Sequence, residues 1–146
     1  MPTTSLIRNL GIPFLILVVT AHDALSAGVP DCSQDAVACI RLAAAETAAF
    51  VEECGKVFPP SKAELDTALA GWSILKLRIA GVEEAMKPGS PERLALGKKA
   101  AAYLKSVGSY EREIECTGRM AVLKNKELRI RSDFVLLPTD PLEPYR

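Results

Sequence analysis

The sequence predicts an all-α fold: a small disulfide-stapled three-helix bundle of up-down-up topology with an extended proline-rich C-terminal tail. Apolar residues recur at three- and four-residue spacing in three segments, as they do on one face of an α-helix. Proline and glycine separate these segments, and the chain of 146 residues contains four cysteines. We divide the chain into a secretory signal peptide at 1–27, a single helical domain at 28–137 and the tail at 138–146.

Residues 1–27 have the composition of a secretory signal peptide. Arg8 precedes an uncharged apolar stretch at 10–21, and small residues follow at Ala24, Ser26 and Ala27. The apolar stretch is shorter than the about 20 residues that a membrane-spanning helix needs, which favours a cleaved signal peptide over a retained anchor. We expect cleavage near Ala27, export to the periplasm or the extracellular space, and no integral membrane segment after cleavage.

The residues left after cleavage exclude several kinds of chemistry. The chain has one histidine, His22, and it lies within the predicted signal peptide. The mature chain would therefore lack the usual base of Ser-His-Asp and Cys-His sites and every histidine metal ligand. The 18 basic and 18 acidic residues balance, which gives no electrostatic basis for binding nucleic acid. We expect no cofactor, no metal and no nucleic-acid partner.

The first predicted helix covers about residues 33–56. Gly55 and the pair Pro59-Pro60 provide its stop signals. One side of this helix would carry the small and apolar residues Val37, Ile40, Ala44, Thr47, Val51, Cys54 and Phe58.

The second predicted helix begins at Ser61 and ends near Met86. Ser61 and Glu64 have the spacing of a capping box, in which each side chain satisfies a free backbone N–H group of the first turn. Trp72 lies on the apolar stripe, so we expect it in the core with a hydrogen-bond partner for its indole N–H. The stripe consists of Leu65, Ala68, Trp72, Leu75, Ile79, Val82 and Met86.

The third predicted helix begins with Ser90 as its N-cap and Pro91 at its first position. Gly118 lies far along this helix, and we expect a kink or a break there. The apolar stripe consists of Leu96, Ala100, Tyr103, Val107, Tyr110, Ile114, Thr117 and Ala121.

Helix geometry selects one of the three possible disulfide pairings. Short connections make neighbouring helices antiparallel, so the first and third helices run in the same direction. Cys54 and Cys116 then lie about 30 Å and about 37 Å along their helices, whereas Cys39 lies only about 9 Å along the first. We therefore predict the disulfides Cys54–Cys116 and Cys32–Cys39. The second disulfide requires the first helix to begin near Asp35, so that Cys32 can fold back.

One feature of the third helix conflicts with this pairing. Cys116 is two residues from Ile114, and an ideal helix therefore points it well away from the apolar stripe. The predicted disulfide requires Cys116 to lie on the flank that faces the first helix, or the backbone near Gly118 to rotate it.

The acidic residues of the predicted helices are typical of a solvated surface. Glu52, Glu83 and Glu115 each precede a basic residue by four positions, which is the spacing of ion pairs on an exposed helix face. Neighbouring carboxylates can also serve as the acid and base of glycosidic or related chemistry. The candidates are Glu52 with Glu53, Glu83 with Glu84, and the group Glu111, Glu113 and Glu115. A catalytic role for these carboxylates is the alternative interpretation.

These observations favour a non-enzymatic binding module, of the inhibitor, immunity or adaptor type, over an enzyme. We expect its partner to be another protein or a component of the cell envelope, and the sequence leaves the oligomeric state open. The alternatives are a small carboxylate-based hydrolase or lyase, or a secreted effector. Aromatic and basic side chains are the candidates for the interaction surface: Tyr103, Tyr110, Lys124, Lys126, Arg129 and Arg131.

Overall fold

The computed structural model describes residues 32–125 and 142–145, in which all regular secondary structure is helical. The all-α class is thereby confirmed. The three-helix description is approximate, because the predicted second and third helices are each divided. Within the described residues the α-helices are α1 (Ala36–Val57), α2 (Lys62–Ala70), α3 (Val82–Met86), α4 (Pro91–Ser106) and α5 (Ser109–Lys124). Short 3-10 helices occupy Pro59–Ser61, Ser73–Leu77 and Glu143–Tyr145.

Helix α1 begins and ends where its sequence signals predict. The carboxylate of Asp35 accepts a hydrogen bond from the Ala38 N–H at 2.9 Å, which caps the first turn. At the other end, the Phe58 N–H donates to the Cys54 carbonyl at 2.8 Å, and Pro59 begins the following 3-10 turn. The start at Asp35 leaves Cys32 free to fold back toward α1, as the predicted pairing requires.

Helix α1 is the centre of the fold. From Ala43 to Val51 every residue is buried, so this part of α1 has no solvent-facing side. Helices α2, α3, α4 and α5 all contact it. A helix that is apolar on all sides belongs in the interior of a fold, and the alanines of this stretch allow its neighbours to approach closely.

The predicted second helix is interrupted between Ala70 and Val82. The backbone leaves the α-helical conformation after Gly71, and both Arg78 (φ 49°) and Gly81 (φ 78°) adopt left-handed conformations that an α-helix cannot include. The predicted stripe still reaches the core, because the 3-10 turn and α3 redirect its residues inward. Its fully or nearly fully buried members are Leu65, Trp72, Ile79, Val82 and Met86.

The predicted capping box at the start of this segment is wrong. Ser61 has φ −88° and ψ −7°, and its side chain makes no capping hydrogen bond to α2. Its hydroxyl instead donates to the Phe58 carbonyl at 2.8 Å. The 3-10 turn over Pro59–Ser61 leads directly into α2, so the extended N-cap conformation that a capping box uses is absent here.

The predicted third helix is divided at Val107 and Gly108, and the break expected near Gly118 is not observed. Val107 and Gly108 are extended (ψ 158° and 164°), whereas Gly118 lies inside α5. The predicted start of α4 is confirmed, since the Ser90 hydroxyl accepts a hydrogen bond from the Arg93 N–H at 3.2 Å. The break separates α4 from α5. Helix α5 can therefore bury a face that does not continue the buried face of α4.

Both predicted disulfides are present. Cys32–Cys39 joins the segment before α1 to the beginning of that helix, and Cys54–Cys116 joins the end of α1 to the middle of α5. The Cα atoms of each pair are 5.6 Å apart, which is within the usual range for a disulfide.

The end of the chain contributes to the core. Leu142 is fully buried and belongs to the main apolar cluster, and a turn of 3-10 helix follows at Glu143–Tyr145. The rest of the predicted tail lies outside the described residues, as do the signal peptide and its cleavage site.

Candidate interaction surface

Helix α5 has two faces of opposite character. Its inner face is buried against the bundle and carries Cys116, Arg119 and Leu123. Its outer face is exposed, with Tyr110 at 76% and Ile114 at 51% of their full accessibility. We call the exposed row along this outer face the α5 seam, and it consists of Tyr110, Ile114, Thr117 and Ala121.

The α5 seam is the second half of the stripe that the sequence assigns to the core. That assignment is wrong for Ile114, and the break at Val107 and Gly108 is the physical reason. The exposure of Tyr110 is compatible with its place among the candidate interaction residues. A continuous helix would carry both residues along the buried side of α4, whereas a new helix is free to turn another face inward. The seam keeps the 4-3-4 spacing with which helices pack against one another, although none of the described helices covers it.

A buried ion pair fixes the inner face of α5 to α1. Arg119 Nη2 lies 3.3 Å from Glu46 Oε1, and both side chains are fully buried. The Arg119 guanidinium also lies 4.4 Å from the centre of the Phe50 ring, which is within cation–π distance. Together with the disulfide one turn earlier in α5, this pair orients the whole helix.

Sequence reasoning missed this pair. Arg119 was predicted as a surface partner of Glu115, four positions before it, but it is fully buried and contacts Glu46. The available signal was Glu46 itself, which is the one charged residue between Arg41 and Glu52. A single acid in an otherwise apolar helix requires a buried partner of opposite charge.

The other predicted interface residues are not brought together in one place. Tyr103 is half-buried on α4, where its ring centre lies 6.1 Å from that of Phe50. Tyr110 lies on α5, beyond the helix break. Lys124 is exposed and donates to the carboxylate of Glu64 on α2. The remaining basic candidates, Lys126, Arg129 and Arg131, lie outside the described residues.

A groove between α2 and α5 borders the seam. It has a volume of about 430 Å³, and Thr117 belongs both to its lining and to the seam. Its wall combines the apolar side chains of Phe58, Leu65 and Met120 with charged groups at the rim. The groove therefore extends the exposed apolar surface of α5 toward α2.

Three of the acidic residues that the alternative interpretation treats as catalytic take part in surface ion pairs: Glu52, Glu53 and Glu84. Glu52 lies 3.3 Å from Lys56, as predicted, and 2.9 Å from Arg93. A hydrogen bond from Lys56 to Glu53 raises the pKa of Lys56 above its usual value. The carboxylates of Glu52 and Glu53 therefore act as counter-ions that hold side chains together at the junction of α1 and α4.

The acidic pair before α4 shows the same behaviour with a change of partner. Lys87 was predicted to pair with Glu83, four positions earlier, but it pairs with Glu84 at three. The hydrogen bond to Glu84 raises the pKa of Lys87. An open groove of about 540 Å³ lies beside this pair and includes Arg78, the non-glycine residue with the left-handed backbone.

Trp72 lies in the core, with 1% of its surface exposed. Its indole N–H makes no hydrogen bond to the residues that the structure describes, although the sequence leads us to expect one. The residue belongs to the main buried apolar cluster and directly precedes the 3-10 turn at Ser73–Leu77, so its role within the described fold is to fill space.

In the ranges 32–125 and 142–145, no group of three or more His, Cys, Asp or Glu side chains could hold a metal ion. None of the described helices has the length and apolar character that crossing a membrane requires. No protein-family model, no curated protein and no solved structure matches the chain.

Proposed function

We propose that this chain is an exported, non-enzymatic helical module that binds another protein or an envelope component in the periplasm or outside the cell. An inhibitor, immunity or adaptor role would use such a module. The observation that carries the proposal is the exposed α5 seam, because none of the described helices covers this row of residues and its 4-3-4 spacing is the one with which helices pack against one another. Contiguous exposed apolar surface marks interaction sites in soluble proteins.

The way α5 is held supports this proposal. The disulfide at Cys116 and the buried pair of Arg119 with Glu46 fix the orientation of the helix from inside. A surface that is already ordered loses little conformational entropy when a partner binds. The α5 seam is therefore presented in a rigid form, as a binding module requires.

Export is supported by the cysteines and by the predicted signal peptide. Both disulfides join cysteines of the described domain, and such bonds form and persist in oxidising compartments. We expect mass spectrometry of the protein from its native source to show the loss of residues 1–27. A retained N-terminus would contradict export by cleavage of a signal peptide.

The binding proposal is tested by capturing partners from the envelope fraction and the culture fluid with the oxidised protein. The test variant is Ile114→Glu, which places a charge in the middle of the seam. The matched control is Leu94→Glu on α4, where an apolar side chain is also exposed, at 58%. Because Leu94 lies outside the seam, its replacement should leave binding intact.

When the captured complex is chemically cross-linked, we expect the attachment sites on this chain to lie near Tyr110 and Ile114. Ile114→Glu should lower its recovery by at least about tenfold, equivalent to about 1.4 kcal/mol of binding free energy. Equal recovery by the wild type and Ile114→Glu would contradict binding through α5.

A further inference from the structure

We infer that the α5 seam binds a second copy of this chain, with the two α5 helices antiparallel and related by a two-fold axis. The inference rests on the proposed binding role of the seam and names its partner. Two-fold dimers are the commonest symmetric assemblies, and in them one surface must be complementary to itself. The α5 seam meets this condition in the size of its residues, and the acidic residues beside it favour one orientation.

The four seam residues are arranged symmetrically about the point between residues 115 and 116. Tyr110 and Ala121 lie about 8 Å on either side of that point, and Ile114 and Thr117 lie about 2 Å on either side. Antiparallel pairing about this point places Tyr110 opposite Ala121 of the second copy. It also places Ile114 opposite Thr117. Each layer of the contact thus combines one larger and one smaller side chain, as close packing requires.

A parallel arrangement would not pack in this way. Tyr110 would meet Tyr110 of the second copy and Ala121 would meet Ala121, so one end would be crowded and the other would contain a gap. When two helices with the same 4-3-4 row pack antiparallel, each residue of the row meets a different residue of the other copy. When they pack parallel, each residue meets its own counterpart. The distribution of large and small residues along α5 therefore selects the antiparallel orientation.

The charges on α5 favour the same orientation. Glu111 and Glu113 flank the seam in the first half of the helix, and Lys124 lies in the last turn. Parallel pairing would bring the acidic halves of the two copies together, and like charges in close contact are destabilising. Antiparallel pairing moves the acidic halves apart along the axis and so lowers this repulsion. Lys124 pairs with Glu64 on α2 of its own copy and therefore adds no free positive charge to the contact.

The expected dimer is weak. Helix α5 has 16 residues, a length of about 24 Å, and one helix from each copy supplies the contact. Stable interfaces bury about 1,200–2,000 Å² in total, which is more than a single short helix pair provides. We therefore expect a reversible equilibrium between monomer and dimer that depends on protein concentration.

Sedimentation equilibrium of the full oxidised chain after signal removal tests the inference. We expect the average mass to rise from monomer toward dimer between about 1 μM and about 1 mM protein. Ile114→Glu should raise the dissociation constant at least tenfold, whereas Leu94→Glu should change it less than twofold. Circular dichroism should show unchanged helix content in both variants, because both side chains are exposed.

Cysteine cross-linking tests the orientation of the two helices. Under a mild oxidant, a mixture of Tyr110→Cys and Ala121→Cys chains should form a mixed dimer through the new cysteines. Ala121→Cys alone should not cross-link, because the two copies of residue 121 lie at opposite ends of an antiparallel pair. Efficient self-cross-linking of Ala121→Cys would overturn the antiparallel arrangement.

The results separate this inference from the proposed function. A chain that stays monomeric over the whole concentration range overturns self-association, and so does a dimer that Ile114→Glu leaves unchanged. If the monomeric chain still captures a different protein through Ile114, the binding role stands and the identity of the partner changes. If neither a second copy nor another protein binds at Ile114, both proposals fail.

Discussion

Helices α4 and α5 are both 16 residues long, and both contact α1. They differ in the side chains that they bury: those of α4 are all apolar, whereas those of α5 include a disulfide cysteine and an arginine. Helix α4 begins with a serine cap and buries the apolar residues Leu96, Ala100 and Leu104. Helix α5 begins at Ser109, after Gly108 as an N-cap residue that has no side chain, and buries a cysteine, an arginine and a leucine. The apolar seam of α5 remains on the outside.

This contrast shows two ways of holding a helix in a small domain. Burial of apolar surface holds α4, and this force is roughly proportional to the area removed from water. A covalent bond and a buried ion pair hold α5, so this helix can be fixed without using its apolar face. That apolar face stays exposed in the part of the chain that the structure describes. The predictions below test the difference between the two helices, from the largest expected effect to the smallest.

The largest effect is expected at the buried ion pair. Arg119→Met should lower the free energy of unfolding by as much as about 5 kcal/mol, because it leaves the Glu46 carboxylate buried without this counter-charge. The double variant Glu46→Leu with Arg119→Met removes both charges and should recover most of that loss. Urea unfolding measures both values. If the double variant is as unstable as Arg119→Met alone, the unpaired Glu46 carboxylate is not the cause of the lost stability.

The next effect is expected at the disulfide that holds α5. The cysteines of Cys54–Cys116 are 62 positions apart, and those of Cys32–Cys39 are seven apart. In the chain-entropy account, replacing the first pair by alanine should cost about 4 kcal/mol and replacing the second about 2.5 kcal/mol. Thermal unfolding of the two double variants provides the comparison. A larger loss for the short disulfide would show that Cys54–Cys116 is not the main constraint on α5.

A smaller effect is expected at the two helix starts. Ser90→Ala should destabilise the domain by about 1 kcal/mol, because it removes the cap of α4. Gly108→Ser should stabilise it by about 0.5 kcal/mol, because Gly108 has φ −66° and nothing lies within 4 Å of an added Cβ. Chemical unfolding of the two variants checks both signs. If Gly108→Ser does not raise the free energy of unfolding, the missing side-chain cap does not weaken the first turn of α5.

The parts of the fold that the sequence predicts correctly depend on local or covalent rules. Ser90 acts as a cap because its side chain satisfies a backbone group three residues away. The pairing of Cys54 with Cys116 depends only on distances along two helices that run side by side. Such rules need no knowledge of which face of a helix is buried.

The parts that the sequence predicts incorrectly depend on long-range contacts. The breaks at Gly71 and at Val107 and Gly108 divide two apolar stripes that continue without interruption in the sequence. On α5 the buried face contains Arg119, so a search for apolar residues selects the opposite face. Cys116 lies only two residues from Ile114, so the two side chains point to opposite sides of an α-helix. This local sign showed that the helix could not bury both the disulfide and the apolar stripe.

Helix α5 turns its apolar seam away from the core of the domain, and one pair of variants tests this most directly. Leu104→Ala on α4 removes a buried side chain and should lower the free energy of unfolding by about 2–5 kcal/mol. Ile114→Ala on α5, measured at a concentration at which the chain is monomeric, should change it by less than about 0.5 kcal/mol. A loss at Ile114 as large as that at Leu104 would place the seam in the core and contradict the account.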